Sequence, residues 1–339
     1  MTWFAIFHTT FGCTGIFLNL LLCYLAIFKS PPSIKTYSTL ILNFAVTDLL
    51  GSFMDTVVQQ RIIPAGLSLL FMPEGVCTYL GVQVCNFAFS LYLHTLSHSL
   101  WSLLLSFSYR YYILHHPSVK ISTLFKIIFL IYLPSFYQAL TYWTEFREGP
   151  VVEEIMEERY PDYNITGKVL TGIPSILSFN ALYCIIHLSF PVFPIYCCVG
   201  VLRRRIVGHL QKNARSMTKD TRKMHSQLLW VLSLQALLPM FLWVASSTYL
   251  LQQLEIIKGE LYQRLVFSLA LLFPVAGPLT YIVFVRPYRT FCENALLRIV
   301  NPRKAYETKN MGKFASNDAT SKTGYRSSIS AVHPIQLPS

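Results

Sequence analysis

Seven long apolar stretches divide this chain, at residues 3–28, 39–58, 80–107, 124–143, 180–202, 228–251 and 265–285. Each reaches the about 20 residues that a helix needs to cross the hydrocarbon of a bilayer. Seven such stretches leave no soluble core to build. They predict an all-α membrane protein, a seven-transmembrane helix bundle over 1–300 with a disordered tail over 301–339. Composition agrees: charged residues make up 13% of the chain, against about 25% in soluble domains. The segment 62–76 is also apolar, but Pro64, Gly66 and Pro73 cut it into pieces too short to cross. It reads as a loop skimming the outer surface.

Charge fixes the orientation. No basic residue precedes the first apolar run, which is too long for the core of a signal peptide. Lys29 and Lys35 follow it, so the N-terminus is expected outside and the C-terminus in the cytoplasm. On that topology 22 of the 28 Lys and Arg residues fall inside, leaving Arg61, Arg147, Arg159, Lys168, Lys258 and Arg264 outside. This is the positive-inside pattern, and the inner basic residues also attract the anionic leaflet. The net charge of +12 therefore speaks for a lipid bilayer as partner and not for nucleic acid. The sequon Asn164-Ile165-Thr166 falls in the loop after span four, on the side where glycosylation occurs. That loop is acidic, with Glu145, Glu148, Glu153, Glu154, Glu157, Glu158 and Asp162. It is either a solvated face or an antechamber that concentrates cations. Cys13, Cys77 and Cys85 can lie on the oxidising side, which allows one disulfide.

Polar residues inside a span are expensive and point to function. Asn19 in span one, and Asn43 and Asp48 in span two, form a candidate buried polar network. Asp48 reads as a switch site, Asn19 equally as inter-helix glue. Asp55 shares the face of Asp48 but is expected to be exposed at the outer end. In span three, His94 and His98 stand one turn apart on one face. Satisfied buried histidines are the expectation, and contact with a ligand pocket is the alternative. No third metal ligand accompanies them, and no cofactor is implied.

Arg110 closes span three among aromatic residues, followed by a basic inner loop. Span six carries Pro239, and span seven Pro274, Pro278 and Tyr281. Proline kinks give a bundle hinges. Residues 288–300 read as a short amphipathic interfacial helix, on which Cys292 is a candidate for palmitoylation. The third inner loop, 203–225, is basic through Arg203, Arg204, Arg205, Lys212, Arg215, Lys219, Arg222 and Lys223. It suits a partner groove or mere topology enforcement. The tail beyond Asn301 is rich in Ser, Thr and Lys.

Over residues 3–300 the chain resembles rhodopsin-like G-protein-coupled receptors. Asn19 resembles that superfamily's span-one asparagine, and Leu-Asn43-Phe-Ala-Val-Thr-Asp48 its span-two motif. Tyr109-Arg110-Tyr111 stands where Asp-Arg-Tyr is usual, and Pro278-x-x-Tyr281 ends the Asn-Pro-x-x-Tyr pattern. Tyr109 replaces the acid, Gly277 the asparagine, and Leu237 the usual tryptophan. The usual disulfide from span three to the loop after span four has no cysteine at 144–179 to form with. The longer words Gln59-Gln60-Arg61-Ile62-Ile63-Pro64 and Leu93-His94-x-x-Ser97-His98-Ser99-Leu100-Trp101-Ser102 resemble the nematode serpentine receptors of class delta (Srd).

The resemblance implies a chemosensory receptor in the plasma membrane of sensory neuron cilia. It would bind a small-molecule ligand between spans three, five, six and seven and activate a heterotrimeric G protein. Tyr109, Arg110, Tyr111, Pro239, Pro278 and Tyr281 would form its coupling switch. A ligand-gated chemosensory ion channel is the alternative, disfavoured because such channels have inverted topology. A transporter would show matched halves with broken helices. An enzyme is the most distant reading: no P-loop, H-E-x-x-H or nucleophile–base pair is found.

Overall fold

The computed structural model describes residues 3–163, 165–212, 230 and 233–300. Asn164, the basic segment 213–229 and the tail 301–339 lie outside the described residues.

Helix α1 (Trp3–Phe28) is apolar all round yet buries only one stripe: Phe4, His8, Gly12, Gly15, Asn19, Leu22 and Ala26. These steps of three and four residues keep to one helical face. The opposite face exposes Ile6, Phe17, Leu20 and Ile27, as a lipid-facing surface does. The glycines are there for closeness. A Cβ built on Gly12 would stand 2.0 Å from Thr56 Oγ1, and one on Gly15 2.4 Å from Ser52 Oγ. Both partners belong to α2 (Lys35–Val58), which α1 meets across that stripe.

Among the described residues helix α3 (Val82–Ile113) is the longest, and α4 (Ile121–Tyr142) packs beside it. Span five is broken into α6 (Phe179–Ser189) and α7 (Val192–Lys212). The break falls at Pro191, which cannot donate the hydrogen bond that would carry the helix through. Span six is interrupted as well: 233–235 are helical, 236–238 form a turn, and α8 (Pro239–Gln253) starts on Pro239. Span seven is α9 (Glu260–Phe284), which runs through both Pro274 and Pro278.

Among the described residues, six helical segments are long and apolar enough to cross a membrane, and α3 is not one of them. It buries Asn86, Ser90, His94, Thr95, Ser97, His98, Ser99, Ser102, Ser106 and Arg110. A helix surrounded by other helices need not be apolar toward lipid, and its hydroxyls find partners across the bundle.

The segment 62–76 corrects the sequence reading. It forms a hairpin, β1 (Gln60–Ala65) with β2 (Ser68–Pro73), turned at Gly66 with φ +64°. A third strand, β3 (Thr171–Ile173), pairs antiparallel with β2. Pro64 sits on the edge strand, where its missing N–H does no harm. The side chains alternate. Ile62, Leu69 and Phe71 join the bundle core, while Ile63, Leu70 and Met72 join Val152 and Met156 of α5 (Pro150–Arg159) on the other face. Far from skimming the surface, the hairpin is a layer between bundle and loop. The cysteine expectation resolves as Cys77–Cys85, with Cα atoms 5.1 Å apart, tying the hairpin's exit to the first turn of α3.

Residues up to Tyr288 form one compact unit and those from Arg289 a second. The helix α10 (Arg286–Val300) stands where an amphipathic helix was predicted and carries Cys292 as a free thiol.

Candidate functional site

Beneath the hairpin lies a cavity of about 700 Å³, mouth included. Its walls are Phe89, Leu93, Leu96 and Leu100 of α3, Cys184, Ile185 and Leu188 of α6, Leu242, Ala245 and Tyr249 of α8, and Val266, Phe267 and Ala270 of α9. Ile62, Leu69 and Phe71 form its roof. These are the spans between which the sequence places a ligand. Ser189, Ser246 and the two tyrosines Tyr142 and Tyr249 are its hydroxyl groups, and among the described residues no charged side chain lines it.

Two arginines counted as outer loop charges clamp the roof. Arg61 of β1, only 2% exposed, donates to Gln263 Oε1 at 3.0 and 2.7 Å and to Glu260 at 3.0 Å. Its guanidinium lies 5.0 Å from the centre of the Tyr163 ring. Arg264, also buried, holds Glu74 at 2.6 Å and Glu260 at 2.8 Å. The hairpin is thereby pinned to the first turns of α9. At the rim, Lys258 donates to Glu255 at 3.0 Å and holds that carboxyl below the usual carboxylate range.

Near the same end, Asp55 corrects another expectation, since it is buried. His8 Nδ1 meets its Oδ2 at 2.7 Å, and His8 Nε2 meets Ser268 Oγ at 3.1 Å. This joins α1, α2 and α9 by a polar contact that the sequence does not announce.

The three members of the predicted polar network each bond different partners. Asn19 Nδ2 donates to the carbonyl of Pro274 at 3.0 Å and to that of Gly15 at 2.9 Å. The first bond has a cause: Pro278 has no N–H to offer the carbonyl four residues before it, so a neighbouring helix supplies the donor. Asp48 accepts from Ser99 Oγ at 2.7 Å. Gly277 makes room for it, since a Cβ there would stand 3.1 Å from Asp48 Oδ2. Asn43 is elsewhere, donating to Ser102 at 2.8 Å and accepting from His98 Nε2 at 3.2 Å.

At the far end of α3, Arg110 is buried with its guanidinium 3.9 Å from the centre of the Tyr37 ring. Its Nε and Nη2 have no hydrogen-bond partner among the described residues. Tyr37 bonds Ser106 at 3.2 Å and stacks with Tyr109. Tyr281 is buried beside Tyr37 and Gln235. Arg110, Tyr109 and Tyr281 thus converge on Tyr37, a residue the sequence reading did not single out. Aromatic faces stand where an acid would pair with the arginine. Tyr111 is apart, against His115 and Arg205. Pro278 is near Asp48 on the wall of a small cavity, and Pro239 opens α8.

His94 and His98 do not line the cavity under the hairpin. They face α4, where the Tyr132 ring meets each edge-on at 4.6 Å. Nor are they fully satisfied: among the described residues Nδ1 of His98 lacks a partner, and His94 has at most the Ser135 backbone.

Comparison with known proteins agrees with this fold. Residues 4–294 match the family described as serpentine type 7TM GPCR chemoreceptor Srd. Serpentine receptor class delta-18 of Caenorhabditis elegans is 41% identical over 91% of this chain and 92% of its own. Serpentine receptor class delta-19 of the same organism is 40% identical over 97% and 99%. Squid rhodopsin shares the fold with a TM-score of 0.55 at 14% identity, covering 91% of this chain and 89% of its own.

Proposed function

Because the chain belongs to the Srd family of serpentine seven-helix receptors, and so is a chemosensory G-protein-coupled receptor in a membrane, we propose that its cue binds in the cavity under the hairpin and that the Arg110 end engages a heterotrimeric G protein. The observation that carries the ligand reading is the lining. Four spans and a roof converge on a space that no charged side chain among the described residues lines. A charged ligand would leave water with no counter-charge to receive it. The cue is therefore an uncharged, largely apolar small molecule, oriented by a few hydroxyls. The acidic outer loop is a solvated face and not a selector of cations.

The positive-inside pattern supports placing the hairpin outside and Arg110 in the cytoplasm. The cue acts by binding one state of the bundle more tightly than the other. The broken helices at Pro191 and Pro239 are natural points for spans five and six to move, exposing Arg110 between the inner ends of α3 and α7. The sensory cilium as location, a glycan on Asn164 and an acyl chain on Cys292 belong to the same reading.

The test is calcium imaging in cells expressing the chain, with uncharged volatile and water-soluble cues, with and without a G-protein blocker. A response that is lost under the blocker, and lost in Ala270→Trp at normal surface expression, is the expected result. A response that survives the blocker would make the chain a ligand-gated channel. One that survives Ala270→Trp would place the cue elsewhere.

A further inference from the structure

The histidine pair of span three has no place in the cavity or in the coupling end, and its surroundings are a site of their own. His94 is 1% exposed. The backbone of Ser135 lies close enough to engage one ring nitrogen at most, which leaves the other without a partner among the described residues. Buried polar groups without partners are rare and ask for an explanation. His94 lines a groove of about 650 Å³, its open side included, with Val46 and Leu50 of α2 and Phe125, Ile128 and Tyr132 of α4. Val46 is 53% and Phe125 55% exposed on the flank of the bundle, so the groove opens sideways, toward lipid.

We propose that this groove between α2, α3 and α4 is a second binding site, for a small uncharged alcohol that arrives dissolved in the bilayer and exchanges hydrogen bonds with His94. The chemistry follows from which groups are left to bond. Three polar side chains of the groove are engaged: Asn43 with Ser102 and His98, Thr47 with the Asn43 carbonyl, Thr95 with the Tyr92 carbonyl. The hydroxyls of Thr39 and Tyr132, which also line it, are on partly exposed residues, so His94 is the buried side chain of the groove with hydrogen bonds left to give. A neutral imidazole donates through one nitrogen and accepts through the other, and a hydroxyl answers both, where a ketone could only accept. A charged head would find no counter-ion.

Depth argues against a resident lipid. His94 stands twelve residues beyond Val82, about 18 Å along the helix, within the hydrocarbon. A sterol or phospholipid keeps its polar group at the interface, where water satisfies it. A short alcohol can sit wholly inside. Its arrival would be felt across the bundle, because Tyr132 touches both histidines and His98 bonds Asn43, one of the contacts that join α3 to α2.

The full chain in sterol-free phospholipid nanodiscs would be irradiated with an eight-carbon alcohol carrying a diazirine, and the adducts mapped by peptide mass spectrometry. Adducts should concentrate in residues 42–50 and 125–132. Excess 1-octanol should compete and octane should not. His94→Leu should reduce the labelling about tenfold, the effect of losing roughly one buried hydrogen bond, whereas His94→Gln, which keeps a donor and an acceptor, should retain it. Val46→Trp should block the groove from the lipid side without touching the polar contacts. Ala270→Trp, which fills the cavity under the hairpin, should leave this labelling unchanged, so each site can fail without the other. Equal competition by octane, adducts spread evenly over the lipid-facing residues of every helix, or labelling unchanged in both His94→Leu and Val46→Trp would overturn the proposal. Displacement by added cholesterol would do so too, by making the occupant a resident lipid.

Discussion

Replacing His8 by leucine measures what the buried contact between α1, α2 and α9 contributes. The substitution removes two bonds, to Asp55 at 2.7 Å and to Ser268 at 3.1 Å. Ser268 loses little, because its hydroxyl still donates to the Arg264 carbonyl at 2.9 Å. Asp55 loses most. It is 1% exposed, its Oδ1 already lacks a bonded partner among the described residues, and the Tyr92 hydroxyl remains beside it. Removing one member of a buried pair costs about 3–5 kcal/mol, because the survivor is stranded. An ordinary inter-helix hydrogen bond in a membrane contributes only about 0.6 kcal/mol. The two magnitudes separate the readings. His8→Leu and Asp55→Leu should each cost about 3 kcal/mol. The double variant should cost far less than both together, leaving a coupling energy of about 3 kcal/mol in a double-mutant cycle. Reversible unfolding in mixed micelles supplies the free energies. Single effects of about 0.6 kcal/mol that simply add would refute the stranded-carboxylate argument and reduce the contact to ordinary glue.

Four further outcomes are expected. Asn19→Leu should cost about 1–2 kcal/mol by stranding the Pro274 carbonyl, and Pro278→Ala, which restores an N–H four residues on, should remove most of that penalty in the same unfolding assay. Arg110→Ala should abolish signalling at unchanged surface expression, and so in large part should Tyr37→Leu, which removes the ring beneath the guanidinium; normal calcium responses would remove the coupling role. Asp48→Asn should shift basal or evoked signalling, and Gly277→Ala, which sets a methyl about 3.1 Å from the carboxylate, should shift it the same way; wild-type behaviour in both would leave Asp48 a structural partner of Ser99. Asn164→Gln should raise mobility on a gel from glycosylating cells, and an unchanged band would leave the orientation resting on charge alone.

What the sequence revealed and what it hid divide along one physical line: whether a feature is a property of a segment or of a pair of segments. Span length and charge placement belong to single segments, and α1, α2, α4 and α9 overlap the apolar stretches 3–28, 39–58, 124–143 and 265–285. The hairpin was hidden by its own burial. A strand with one solvated face alternates visibly, but Ile62-Ile63 and Leu69-Leu70-Phe71-Met72 are covered on both faces, by the bundle and by α5. The alternation was there in space and absent from the text. Arg61 and Arg264 read as loop charges because their partners, Gln263, Glu260 and Glu74, are named only by the fold. His8 was lost for the same reason, since its acid lies 47 residues away.

The histidines show the limit most sharply. A spacing of four residues says that His94 and His98 share a face, but not which neighbour that face meets. The answer was α4 and the lipid side of α2, not the cavity under the hairpin. The proline of span seven shows the converse. Pro278 takes a donor away from the carbonyl of Pro274, and any stable bundle has to return one from another helix. Asn19 in span one does so. Two residues that look like separate signatures, 259 positions apart in the chain, are therefore one interaction. The pairing could have been argued from the cost of an orphaned carbonyl in lipid before any helix was placed.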